Sequence, residues 1–202
     1  ESEDMRRQAI GGLGIIGKPA EAAVEKLREL CGAEGNLRIP ALHAIGGIGP
    51  SAVEAALPEL REALAKSEDP GVRATAAAML GRIDKDAAAA VVPGLIEGLK
   101  DEHHDVRIQS ANALGELGKA AGAAVPALCE ALKDWLPPVR AAAAGACGRL
   151  GPSVAMKAKP LLIDLLSDPE EWLQGVARAA LDPFYGRCWK WYESAKQSCE
   201  VM

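Results

Sequence analysis

The chain has 202 residues, a net charge of −5 at neutral pH and 49% hydrophobic residues. That balance excludes a disordered chain, and it disfavours general nucleic-acid binding, because phosphates are bound by a surplus of Lys and Arg. One Phe, four Trp and two Tyr stand against 39 Ala, which points to closely packed helices rather than sheets.

The chain then reads as a series of similar units. In residues 1–32 an apolar–Arg pair, Met5-Arg6, is followed eight residues after the Arg by Gly14 and three later by Gly17. Residues 33–66 repeat the series as Leu37-Arg38, Gly46 and Gly49, with Pro58 further on. Residues 67–100 give Val72-Arg73, Gly81 and Pro93, with Asp84 in place of the second Gly. Residues 101–133 give Val106-Arg107, Gly115, Gly118 and Pro126, and residues 134–167 give Val139-Arg140, Gly148, Gly151 and Pro160. Residues 168–202 are a degenerate unit, with Leu173-Gln174 and Leu181-Asp182 in those places. The apolar–Arg pairs step by 32, 35, 34 and 33 residues, a period of about 34.

Each unit reads as two helices. Val72, Ala76, Leu80 and Ile83 have helical spacing. Asp69-Pro70 suits the start of that helix, and the glycines suit its end. The second helix follows the form Val92-Pro93-x-Leu95-x-x-x-Leu99, with Pro in its first turn. Connections of four to eight residues make the two antiparallel. One hairpin cannot bury its apolar face alone, whereas stacked hairpins can. The expectation is an all-α chain, a right-handed α-solenoid forming one domain over 1–202. An uncapped first hairpin is expected to expose Leu13, Ile16 and Leu27 and to self-associate.

The stretch 105–132, DVRIQSANALGELGKAAGAAVPALCEAL, resembles HEAT-like repeats of the phycobilisome-lyase type, and the likeness runs through nearly the whole chain. The resemblance implies ladders of Arg and Asp between adjacent repeats, here Arg73, Arg107 and Arg140 with Asp101, Asp134 and Asp168. It also implies that the second helices line a concave face. Glu62, Glu97, Glu130 and Asp164, each four residues after the repeat Pro, would then form an acidic column. Such a column attracts a basic partner segment, or is simply a solvated face.

Six of the seven aromatics, Trp172, Phe184, Tyr185, Trp189, Trp191 and Tyr192, crowd into 21 residues at the C-terminus. They suit a cap on the last repeat. Tyr185, Trp189, Trp191 and Tyr192 are also candidates for partner contact, because Trp and Tyr serve as interface anchors; a membrane-surface contact is the further alternative.

Chemistry is absent from the motifs. The three histidines, His43, His103 and His104, form no chelating spacing, and there is no HExxH, P-loop or GxSxG. A HEAT-repeat hydroxylase holds iron with His-Glu pairs, and this chain has none. No catalytic, metal or cofactor site is expected. The five cysteines are odd in number and lack a CxxC, which suits a reducing, intracellular compartment. Cys199 stands fourth from the end, but Glu200 departs from a prenylation box. No apolar run approaches the roughly 20 residues of a membrane span. The chain opens ESEDMRRQA without an initiator Met, leaving open a removed leader or an upstream part. The sequence therefore reads as a non-enzymatic protein–protein interaction scaffold, an accessory or assembly subunit whose partners are other proteins. A bilin lyase-like subunit and a peripheral subunit of an organellar membrane complex are the alternatives.

Overall fold

The computed structural model describes residues 2–33 and 35–185. Helices α1 (Glu3–Ile16) and α2 (Val24–Gly32) form the first hairpin. Next come α3 (Arg38–Ile48), the short α4 (Pro50–Ala55) and α5 (Leu57–Lys66). Helices α6 (Pro70–Leu80), α7 (Val92–Gly98), α8 (His104–Leu117) and α9 (Val125–Ala131) follow, with α7 packed against α5 and α8, and α9 against α10. Then α10 (Pro137–Leu150), the short α11 (Pro152–Ala155) and α12 (Lys159–Asp164) lead to α13 (Glu171–Tyr185). The architecture is an all-α solenoid in which successive first helices pack side by side: α1 on α3, α3 on α6, α6 on α8, α8 on α10 and α10 on α13.

Local chemistry sets the helix ends. Ser2 Oγ accepts from the Met5 N–H at 3.3 Å, and Asp69 Oδ1 from the Gly71 N–H at 2.8 Å. These bonds satisfy amides that a first turn leaves without partners. At the far ends Gly17, Gly49, Gly118 and Gly151 take positive φ values of 71°, 133°, 59° and 85°, where a Cβ would be strained. The third unit, with Asp84 instead of Gly, ends its first helix differently: Gly81 is right-handed and Asp84 extended.

The connections are not open loops. Lys18–Ala23, Lys85–Ala90 and Gly118–Ala124 are 3₁₀ turns, and α4 and α11 fill the same place in their units. Alanines anchor them: Ala20, Ala52, Ala88 and Ala121 are buried, as is Ala158 in the 3₁₀ turn Met156–Ala158 that follows α11.

Helix spacing depends on missing side chains. A Cβ on Gly81 would lie 2.7 Å from Ala113 Cα, and one on Gly148 would lie 2.9 Å from Ala180 Cα. At the joint of α3 and α6 the Met79 sulfur occupies the space a Gly46 side chain would need. The core is aliphatic, with Leu42, Leu80, Leu114, Leu128 and Leu150 fully buried.

One exposure expectation needs correction. Leu27 is buried, because α2 packs on both α3 and α5. Leu13 is half-buried against the core, and Ile16 is exposed. The open side of the first hairpin is therefore the side of α1, not α2.

Candidate interaction face

The joints between units are held by one repeated side-chain device. Arg73 Nε and Nη2 donate to the two carboxylate oxygens of Asp101, each at 2.8 Å, while its Nη1 donates to the carbonyls of Ser67 and Glu68. Arg107 makes the same set with Asp134 and the carbonyls of Asp101 and Glu102. Arg140 repeats it with Asp168 and the carbonyls of Asp134 and Trp135. Each Asp also accepts from the backbone N–H two residues on, at His103, Leu136 and Glu170. Such planar two-point pairs are geometrically specific.

The carboxyls respond. Burial raises Asp101, but the hydrogen bond from Arg73, the His103 N–H and the Arg73 charge together outweigh it and leave the group below the usual carboxylate range. Asp168 is lowered in the same way: burial raises it, and the Glu170 N–H and Arg140 reverse the effect.

The device is incomplete toward the N-terminus. Ser67 stands where an Asp would be, so Arg38 reaches the Ser67 Oγ at 3.5 Å and the Cys31 carbonyl at 2.8 Å. Arg6 meets no carboxylate among the described residues. A polar cleft of about 740 Å³ opens at this joint, bordered by Arg7, Asn36, Arg38, Glu59 and Lys66. At its edge Glu59 Oε1 accepts two bonds from Arg28, while Oε2 is buried without a partner.

On the second helices Glu62, Glu97 and Glu130 are exposed, and so is Asp164. The three glutamates pair with lysines one turn on: Glu62 with Lys66 at 3.1 Å, Glu97 with Lys100 at 3.0 Å and Glu130 with Lys133 at 3.2 Å. Exposed pairs of this kind contribute little and are easily exchanged for a competing charge.

Between α5 and α7 lies a groove of about 570 Å³. Pro58, Leu64, Gly94 and Gly98 give it an apolar floor, and Glu62, Glu97, Arg61 and Lys66 stand at its rim. Gly94 and Gly98 occupy the places that Ala127 and Ala131 fill in α9; a Cβ on Gly94 would stand 3.9 Å from the Leu64 side chain on the groove floor, whereas the space at Gly98 is taken by the Ser110 hydroxyl. The sequence reading missed the groove, although VPGLIEG against VPALCEA was the signal.

At the C-terminal end Tyr185 is half-buried against the core, with Lys159 Nζ 4.4 Å from its ring centre. Trp189, Trp191 and Tyr192 lie outside the described residues. Trp135 is 78% exposed and Trp172 50%. Burial pushes the Cys31 and Cys147 thiols up to about 12, which makes them inert packing groups. The His103 and His104 rings stack at 4.7 Å. Among the described residues no three His, Cys, Asp or Glu side chains converge on a metal position, and no helix is long and apolar enough to cross a membrane.

Solved structures share this architecture. An engineered protein matches 90% of this chain and 91% of its own at 23% identity, with a TM-score of 0.66. The complex of CpcE and CpcF of phycocyanin lyase from Nostoc sp. PCC7120 matches 76% of this chain and 62% of that one at 26% identity, TM-score 0.60. A computationally designed armadillo repeat protein for modular peptide recognition matches 91% and 94% at 18% identity, TM-score 0.63. A search of curated protein sequences finds no match. A sequence profile for HEAT repeats matches residues 32–92 and 92–182, and with hairpins stacked through glycine contacts along that span the chain belongs to the HEAT-repeat family.

Proposed function

We propose that this chain is a non-enzymatic interaction scaffold, an accessory or assembly subunit, that binds an extended protein segment along its second helices. The observation that carries this reading is the groove between α5 and α7, with an apolar floor and charged rim at Glu62 and Glu97. A short segment with one apolar residue flanked by Lys or Arg fits that chemistry: the apolar group enters over Gly94, and the basic groups displace Lys66 and Lys100 from their glutamates. The aromatic C-terminal region, including Tyr185, Trp189, Trp191 and Tyr192, is the second proposed contact.

The test is affinity capture from native extract, followed by titration of the captured partner at two salt concentrations. Glu62→Lys/Glu97→Lys is expected to weaken binding about tenfold or more with unchanged melting. Trp189→Ala/Trp191→Ala is expected to lose the same partner if the tail contributes. Binding indifferent to both pairs of substitutions overturns the reading. The likeness to a phycocyanin lyase complex favours one second reading, a bilin lyase-like subunit. An absorbance change on mixing the chain with free bilin is the result that would support it.

A further inference from the structure

At the joint of α3 and α6 the Arg fork is left open. Arg38 Nε donates to the Cys31 carbonyl at 2.8 Å, and Nη1 comes only within 3.5 Å of the Ser67 Oγ. Among the described residues Nη2 meets no acceptor, whereas the Nη2 atoms of Arg73, Arg107 and Arg140 each donate to an Asp oxygen at 2.8, 3.2 and 3.0 Å. A guanidinium keeps its charge at any ordinary pH and offers two parallel N–H groups to one carboxylate. The Nη1–Nη2 edge of Arg38 is therefore a two-point site without its second half. Space for that half is present: the cleft of about 740 Å³ is lined by both Arg38 and Ser67. Both residues are half-buried, so a charge entering there is partly shielded from water. Glu68 does not fill the place, although Glu102, its equivalent, lies 3.5 Å from Arg73.

The surrounding charges select the anion. Glu59, Glu62, Glu68 and Asp69 also line the cleft. Glu59 is held by Arg28 at 2.8 Å and Glu62 by Lys66 at 3.1 Å. Such a wall repels a doubly charged phosphate more than a singly charged carboxylate, and a planar carboxylate is what the other three forks accept. The cleft also shares Glu62 and Lys66 with the groove between α5 and α7, so the two openings adjoin at that ion pair.

We propose that Arg38 and Ser67 form a carboxylate-binding site, and that its occupant is an Asp or Glu side chain of the protein segment that enters the α5–α7 groove. The carboxylate takes one N–H each from Nη1 and Nη2 of Arg38 and accepts from the Ser67 hydroxyl. A basic group of the segment that pairs with Glu62 releases Lys66, whose ammonium adds a second positive charge to the cleft wall. The segment thus carries an acidic residue beside its apolar and basic ones. The identity of the occupant rests on the groove reading; the open fork does not.

NMR titration of the isotopically labelled full chain with acetate, against chloride at equal ionic strength, tests the fork. The expected result is a saturable shift of the Arg38 guanidinium and Ser67 amide resonances with acetate alone. Ser67→Asp should abolish it, because the chain's own carboxylate then closes the fork. Arg38→Lys should weaken it about tenfold, because an ammonium keeps the charge without the two-point edge. A response no different from that to chloride, a stronger response to inorganic phosphate, or a saturable shift that survives Ser67→Asp overturns the site. A shift seen only in Glu34→Gln overturns it too, by giving the fork to the chain itself. The occupant is tested with the captured partner, whose binding Ser67→Asp is expected to weaken about tenfold. Acetate binding with a partner indifferent to Ser67→Asp overturns the occupant and leaves the fork to a free small carboxylate. A partner indifferent to Glu62→Lys/Glu97→Lys, with the acetate shift intact, ends the groove reading and the occupant with it but not the fork.

Discussion

Ser110, with Glu59, is one of two described residues that bury a side-chain oxygen without a hydrogen-bond partner. It is fully buried in α8, its hydroxyl has no hydrogen-bond partner, and it lies against Gly98. Ala41, Ala76 and Ala143 hold the equivalent position. Ser110→Ala combined with Gly98→Ala, the pairing that Ala143 and Ala131 make in the next unit, removes an unsatisfied group and refills the space its Oγ occupied, so it is expected to raise stability by about 1 kcal/mol, read from the urea midpoint. The Asp residues at the joints make a second prediction. Asp101 and Asp168 are lowered in the folded chain, so their contribution is complete above the unfolded value of about 3.9 and is lost as pH falls through the folded one. Urea midpoints are therefore expected to stay level from pH 7 to about 5 and to drop below about 4. In Asp101→Asn/Asp168→Asn the midpoint is lower at pH 7 and its acid drop smaller. An equal acid drop in both proteins would remove these carboxyls from the account. The Arg and Asp columns were legible because their spacing repeats. Ser110 was not, because a single Ser in an Ala column gives no sign of whether its hydroxyl finds a partner.

At the scale of the helix, two glycines of α10 separate the effects of propensity and packing. A Cβ on Gly145 meets only the tip of Arg149, at 3.5 Å. Gly145→Ala is expected to stabilise by about 0.5–1 kcal/mol, because Ala loses less backbone freedom on folding. Gly148→Ala gains the same propensity but sets its methyl 2.9 Å from the Ala180 backbone, and overpacking costs about 1–3 kcal/mol. Thermal melts of the two variants should move in opposite directions; movement together would mean that α10 and α13 separate without cost. The helices themselves were readable from apolar spacing and from glycines at their ends. The connectors were not. A segment such as KDAAAA carries no apolar period to betray a 3₁₀ turn, and burial of one alanine holds it. The α5–α7 groove was missed for a related reason: its floor is left open at Gly94 by an absent methyl group.

For the whole molecule, the Arg–Asp device makes coupling between units uneven. The three joints from Arg73 onward are closed by two-point pairs, whereas Arg38 meets the next unit only through the Ser67 hydroxyl at 3.5 Å. A stack with unequal nearest-neighbour links opens first where the link is weakest. Amide hydrogen exchange is expected to be faster in α1–α3 than in α8–α10, and uniform protection would show that the pairs do not set the coupling. The repeat period revealed the solenoid in the sequence, but the unequal joints appeared only when each Arg was matched to the partner it meets.

The device also dictates where the chain can change length. From Ser67, Asp101, Asp134 and Asp168 to the next Arg or Gln is always six residues, and from each Arg to its Gly always eight. Both steps are fixed, since one guanidinium must reach two carbonyls behind it while its helix presents a glycine to its neighbour. From that Gly to the repeat Pro the count is 12, 12, 11 and 12, and the shortest case is the connector Gly118–Ala124. From the Pro to the next Ser or Asp the count is 9, 8, 8 and 8, so length changes fall in the two segments outside the Asp-to-Gly span, and the turns between the helices are the natural places to graft a foreign peptide or label.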